Sequence, residues 1–193
     1  MATARVPSSP ASRHSTPALF LREGPLRFLG IDPGLGTTGY GVVDRGPTGL
    51  RLIEAGALRS HRTDCLEERV RTIFAGVTDV LEEFKPACMA LEDLYSEYAY
   101  PKTALLMAHV RGAVCLAAAQ HEVPVVGYAA SEVKNAIVGM GNASKEQVQG
   151  SIQNLFGLAA PPTPNDVADA IALAVTAAYR LCGPGVAQVR RVR

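Results

Sequence analysis

"FLGIDPGLGTTGYGVVD" spans Phe28 to Asp44, and its reading decides the fold. Its centre, Gly34-Leu35-Gly36-Thr37-Thr38-Gly39, spells G-x-G-x-x-G, the pattern of a dinucleotide loop. Such a loop needs a helix directly after the glycines, because the helix N-terminus holds the pyrophosphate. Here the glycines lead into "TGYGVVD", which reads as a second strand. The stretch is therefore expected to be a hairpin, with glycines allowing a tight turn and a close approach to the backbone. The residue it presents is Asp32, at the end of the first strand.

Working outward, "PLRFLGID" is a short buried strand bounded by Gly24-Pro25 and Pro33-Gly34. "TGYGVVDRG" and "GLRLIEAGALRS" follow as second and third strands around the turn "RGPTG". In "DCLEERVRTIFAGVTDVLEEFKP" the apolar residues Leu66, Val70, Ile73, Phe74, Val77, Val80, Leu81 and Phe84 recur at helical spacing. Asp64 is the expected N-cap of that helix and Pro86 its stop. "ACMALED" reads as a fourth strand, "PKTALLMAHVRGAVCLAAAQHE" as a second helix and "VPVVGYA" as a fifth strand. A short helix opened by Ser131, a helix with Ser144 and Gln147 in a capping box, and a last helix in "PTPNDVADAIALAVTAAYRLCG" complete the chain. Helical crossovers make strands one, four and five parallel neighbours, with the three leading strands forming an antiparallel side. This is an α/β layout with a mixed five-stranded sheet, that of the ribonuclease H-like fold.

The 193 residues suggest one folded domain, and 48% hydrophobic with 19% charged residues describe an ordinary globule. A net charge of +1 gives no bulk argument for nucleic-acid binding, which must come from a local face. Cys65, Cys88, Cys115 and Cys182 are scattered, without zinc spacing, and read as reduced, mostly buried thiols of a cytoplasmic protein. No apolar run approaches the roughly 20 residues that span a bilayer. Residues 1–24 are rich in Ser, Pro, Ala and Arg without apolar period, and are expected to be a disordered extension. Residues 25–183 form the expected nuclease-like domain, and residues 184–193 a basic tail.

Asp32 has candidate partners. The fourth strand ends in Glu92-Asp93, and the last helix opens with Asp166 and Asp169, three apart and so on one helical face. Sites in parallel α/β sheets gather at C-terminal strand ends. Asp32, Glu92, Asp166 and Asp169 brought together would repel unless cations sat among them. Carboxylate oxygens suit Mg²⁺ or Mn²⁺. Each acid also has an ordinary reading: a turn acid for Asp32, a solvated Glu92, a helix N-terminal acid for Asp166. Asp169 fits these least, because "AIALAVTAA" follows it.

The motifs "GIDPGLGTTGYGVV", "ALEDLYSEYAYPKTALLMAHVRGA", "YAASEVKNAIVGMGNASKEQVQ" and "PTPNDVADAIALAV" resemble those of the RuvC family, bacterial Holliday junction endonucleases, from about Leu26 to Leu181. The resemblance implies metal-dependent phosphodiester hydrolysis on opposed strands of a four-way DNA junction, leaving 5′-phosphate and 3′-hydroxyl ends. It maps the catalytic and metal-binding carboxylates onto Asp32, Glu92, Asp166 and Asp169, with two metal ions per site. It maps DNA contacts onto Lys134 and Lys145, and a base-stacking aromatic onto Tyr95. It further implies a homodimer working beside the RuvA–RuvB branch-migration complex. The helix "TALLMAHVRGAVCLAAAQ", apolar around much of its circumference with the small residues Ala113, Ala117 and Ala118, is one candidate dimer face, and a core helix would look similar. Asn142 departs from the family where some members carry arginine, and some members carry His at the position of Asp166. Rival readings are an actin-like nucleotide-binding module, a related ribonuclease and a junction-binding protein without activity. The actin-like fold needs two such domains, and the intact acids argue against binding alone.

Overall fold

The computed structural model describes residues 25–93 and 101–182, excepting the side chains of residues 101–103. The elements follow in the expected order: β1 (Leu26–Asp32), β2 (Thr37–Gly46), β3 (Gly49–Arg59), α1 (Leu66–Phe84), β4 (Cys88–Glu92), α2 (Pro101–Gln120), β5 (Val125–Tyr128), α3 (Ala130–Val138), α4 (Lys145–Phe156) and α5 (Asn165–Cys182). They build one sheet of order β3-β2-β1-β4-β5. Strands β1, β2 and β3 pair antiparallel, whereas β1–β4 and β4–β5 are parallel, as the crossovers require.

Side chains alternate between the two faces of each strand, and both faces are covered. Phe28, Val43, Cys88, Ala90 and Val126 pack beneath α3, α4 and α5. Leu29, Ile31, Val42, Met89 and Leu91 pack against α1 and α2. The same alternation fixes the aspect of the acids. Asp32 shares the face of Phe28, and Glu92 shares the face of Cys88 and Ala90. Both strand ends therefore look toward α5.

Helix α5 is the central support of that face. All its residues from Val167 to Ala178 are buried except Asp169. It can lie so close because the sheet beneath it lacks side chains. Gly30 pairs with Gly41, and Asp32 pairs with Gly39. A Cβ on Gly30 would overlap the Ala170 carbonyl oxygen and stand 2.6 Å from the Ala174 nitrogen. One on Gly41 would meet Ile171 at 2.7–2.9 Å, and one on Gly39 would overlap the carbonyl of Asp166. Backbone thus rests on backbone, and Gly39 sets how near Asp166 comes to Asp32.

Two helix starts differ from expectation. The N-cap of α1 is Cys65, because Asp64 belongs to the preceding turn, where its N–H donates to the His61 carbonyl (3.2 Å). The N-cap of α3 is Ala129 rather than Ser131: the N–H of Ala129 donates to Glu132 Oε2 (2.9 Å), a half of the capping box that needs no side-chain oxygen on the cap. The box opening α4 is complete, with Gln147 N–H donating to Ser144 Oγ (3.3 Å) and Ser144 N–H to Gln147 Oε1 (2.8 Å). The thiols are less uniformly buried than expected. Cys88 is buried, Cys115 and Cys182 are half-buried and Cys65 is exposed, because the loop before α1 lies outside both cores.

Gly30→Ala should remove about 3 kcal/mol or more of stability in a denaturant titration, since no flexible side chain can yield to the new methyl group. Gly150→Ala in α4, where an added Cβ meets nothing within 4 Å, should be neutral or stabilise by up to ~1 kcal/mol. Equal effects of the two would refute the close seating of α5.

Candidate active site

One cleft of about 960 Å³ opens at the C-terminal end of β1 and β4, and Asp32, Glu92, Asp166, Asp169, Lys134 and Lys145 all line it. Three elements deliver the four carboxylates. Asp32 is the last residue of β1 and Glu92 the last of β4. The pairing of Ile31 with Leu91, carried one residue further, sets them level. Asp166 and Asp169 come from the first turns of α5.

The turn after Asp32 is held by its own hydrogen bonds. The Thr38 hydroxyl donates to the Gly34 carbonyl (2.8 Å), and the Gly34 N–H donates to Thr38 Oγ1 (3.2 Å). Thr38 is fully buried, so the hairpin that carries Asp32 is closed from within.

Position in the sheet also separates Glu92 from its neighbour. Glu92 lines the cleft. Asp93 lies toward α2, 3.7 Å from Arg111 Nη2, and its N–H donates to the Tyr128 carbonyl (2.8 Å). Arg111, itself buried, also donates to the Glu92 carbonyl oxygen. The acidic dipeptide is thereby divided between an ion pair and the cleft.

The electrostatics of the cleft are unfavourable for carboxylates alone. Burial, then the charges of Asp169, Asp166 and Glu92, push the Asp32 carboxyl from its ordinary 3.8 up to about 7, against the pull of Lys145. Burial followed by the charge of Asp169 raises Glu92, with Lys145, Lys134 and Arg111 opposing. Burial raises Asp169 too, with Lys145 opposing and Asp166 adding. Lys145 Nζ stands 4.0 Å from Asp169 Oδ2, at the limit of an ion pair.

Among the described residues, no three His, Cys, Asp or Glu side chains group tightly enough to hold one ion as they stand. The acids line the cleft rather than converging on a point. Their chemistry nevertheless fits a hard divalent cation. The donors are carboxylate oxygens, no thiol or imidazole among the described residues lines the cleft, and the Asp32 carboxyl is raised by burial and by its acidic neighbours.

Lys134 projects from α3, and Lys145 is the first residue of α4. Asn142 is exposed in the turn before α4 and does not line the cleft. Tyr95 lies outside the described residues. The sequence reading missed the opposite wall: Arg59, Ser60, Arg62 and Arg69, with Leu106 and Met107 from α2. A signal for Arg59 existed. Strand β3 runs parallel to β1 across β2, so its last residue belongs at the same end of the sheet as Asp32.

A family model described as Crossover junction endodeoxyribonuclease RuvC matches residues 28–177. The RuvC crossover junction endodeoxyribonuclease of Rhodopirellula baltica is 46% identical over 157 residues, 81% of this chain and 88% of that protein. The one of Moorella thermoacetica is 42% identical over 148 residues, 77% and 88% of the two chains. Thermus thermophilus RuvC, solved in complex with a Holliday junction substrate, superposes with a TM-score of 0.75 at 35% identity, covering 80% of this chain and 93% of that one. The yeast mitochondrial Holliday junction resolvase shares the fold, at a TM-score of 0.55, 15% identity and coverages of 78% and 77%.

Between about pH 4 and pH 7 the native metal-free protein keeps a proton on Asp32 that the unfolded chain releases. Native stability therefore falls as pH rises through this window, by roughly 2–4 kcal/mol from this group. Asp32→Asn should raise the melting temperature of chelator-treated protein at pH 8 and leave it nearly unchanged at pH 4. Equal shifts at both pH values would show that Asp32 is not held in a charge-poor, acidic cleft.

Proposed function

The chain belongs to the RuvC family of crossover junction endodeoxyribonucleases, and on that premise we propose that the cleft is its nuclease site, with Asp32, Glu92, Asp166 and Asp169 as the catalytic, metal-holding carboxylates. The protein is a structure-selective endonuclease that resolves four-way DNA junctions in recombination and repair. The observation that carries the assignment of residues is that three separate elements bring these four acids, and two further helices bring two lysines, into one cleft.

Divalent metal dependence is a property of the family. Mg²⁺ or Mn²⁺, two per site, are the ions we assign. When bound they supply positive charge against the phosphoryl oxygens and acidify the attacking water. Asp32, Glu92, Asp166 and Asp169 would hold the ions through their carboxylate oxygens, Asp32 and Glu92 from the strand ends and the other two from α5. Water attacks phosphorus as the bond to the 3′ oxygen breaks, so the products carry 5′-phosphate and 3′-hydroxyl ends. The chain needs no covalent nucleophile. Lys134 and Lys145, as point charges on the rim, hold phosphates and offset the acids. Tyr95, next to the β4 end in sequence, is the residue we assign to stacking on an exposed base at the crossover.

Paired cuts on opposed strands call for two sites, hence a homodimer. Helix α2 offers a face for it. Leu105 and Leu116 are 63% and 53% exposed, with Gly112 between them open to solvent. No described helix is long and apolar enough to cross a membrane. Action on chromosomal DNA in the cytoplasm, beside a RuvA–RuvB motor, completes the proposal.

Chelator should abolish junction cutting, and Mg²⁺ or Mn²⁺ should restore it. Asp169→Asn should lower cleavage by several orders of magnitude while junction affinity stays the same or rises, because a negative charge near phosphate has gone. Lys145→Ala should weaken binding and reduce the salt slope by about one unit. Normal cutting by Asp169→Asn would remove α5 from the metal site. Leu116→Glu should yield a folded monomer in sedimentation that still binds a junction weakly but no longer makes paired cuts. A dimer of unchanged affinity would place the interface elsewhere.

A further inference from the structure

The wall of the cleft facing Lys134 and Lys145 carries three arginines from three places in the chain. Arg59 ends β3, Arg62 lies in the following turn, and Arg69 belongs to the second turn of α1. Among the described residues none of the three has a salt-bridge partner. The ion pairs found there are Arg27–Asp44, Arg71–Glu68, Arg111–Asp93 and Lys145–Asp169. Among the described residues no carboxylate pairs with these three guanidinium groups, so their charge is open to an anionic ligand at the cleft.

Arg69 is also fixed in place. Its Nε donates to Ser60 Oγ (3.1 Å), and the Ser60 hydroxyl donates to the Leu35 carbonyl oxygen. The Ser60 N–H donates to the Gly36 carbonyl (3.3 Å). A Cβ on Gly36 would stand 4.0 Å from Arg69 Nη2, so the guanidinium hangs over the turn that follows Asp32. Using Nε for Ser60 leaves the outer nitrogens free as donors, in a fork suited to a phosphate. The chain of contacts runs from Arg69 through Ser60 to Leu35, three residues from Asp32.

We propose that Arg59, Arg62 and Arg69 form a second phosphate clamp that holds the cleaved strand one or more nucleotides away from the scissile bond, on the side opposite Lys134 and Lys145. Arg69, tied to the Asp32 turn, sets which phosphodiester lies over the acids. These are positioning residues and take no part in the bond exchange. The proposal rests on the nuclease reading of the cleft.

The test uses the full-length protein, a synthetic four-way junction and a set of junctions in which single phosphates near the cut are replaced by uncharged methylphosphonates. For the unaltered protein, neutralising a phosphate on one flank of the cut should weaken binding in Ca²⁺ about tenfold. Arg62→Ala, Arg59→Ala and Arg69→Ala should be insensitive to that same replacement while remaining sensitive to replacements on the lysine flank. Each should lower the salt slope of binding by about one unit. Arg69→Ala should also spread the cuts over neighbouring bonds, and Arg69→Lys should restore binding better than cut position. Melting curves identify any variant that loses its fold. Arg62→Ala, whose side chain makes no hydrogen bond among the described residues, then decides. Unchanged salt slopes, or variants as sensitive as the unaltered protein to every neutralised phosphate, would overturn the clamp and leave the nuclease reading standing. Failure of the unaltered protein to prefer a junction over linear duplex would overturn both.

Discussion

The site depends on one contact, the seating of α5 on the bare backbone of β1 and β2. Gly30, Gly39 and Gly41 leave a patch of sheet without side chains, and the carbonyls and nitrogens of α5 occupy the space where Cβ atoms would be. Packing through leucines would set a helix about 10 Å from a sheet, as ordinary layers do. Here the approach is closer, and Asp166 and Asp169 are lowered toward Asp32. The glycine-rich sequence that suggests a phosphate loop thus serves a helix from the far end of the chain. The small residues of α5, Ala170 and Ala174 among them, are the other half of that fit.

The charges are arranged in bands. Acids form the floor, lysines from α3 and α4 one rim, and arginines from β3 and α1 the other. Half-buried acids crowded together without cations are a cost to the fold, in keeping with the raised Asp32 carboxyl. The rest of the domain offsets that cost through two apolar cores on either side of the sheet. The near-zero net charge of the chain conceals these bands, because their charges largely cancel in the sum.

Much of this was legible in the sequence because it depends on local pattern. Strand and helix order followed from apolar period, and the acids from strand ends and an i, i+3 pair. What was not legible depends on contacts across elements. Beyond Arg59, which its place at the end of β3 marks, the arginine wall draws single residues from a turn and from α1, with no spacing to betray them. Glu92 and Asp93 are equivalent by position until strand parity and Arg111 divide them. Ala129 caps α3 only because Glu132 reaches back, whereas the first side-chain oxygen in the sequence there belongs to Ser131. Cys65 proved exposed because the loop before α1 lies beyond both cores, which composition does not report.

The docking of α5 on the first strands also orders events in time. Asp32 emerges early in synthesis, whereas Asp166 and Asp169 follow every other described element but their own helix. Until α5 arrives, the glycine face of β1 and β2 lacks its cover, and the carboxylates are far apart along the chain. Closure of this long-range contact is slow relative to local helix formation, and domains generally fold as units. A nascent chain therefore holds an incomplete set of these acids, and the acid-lined cleft is complete only with the docking of α5.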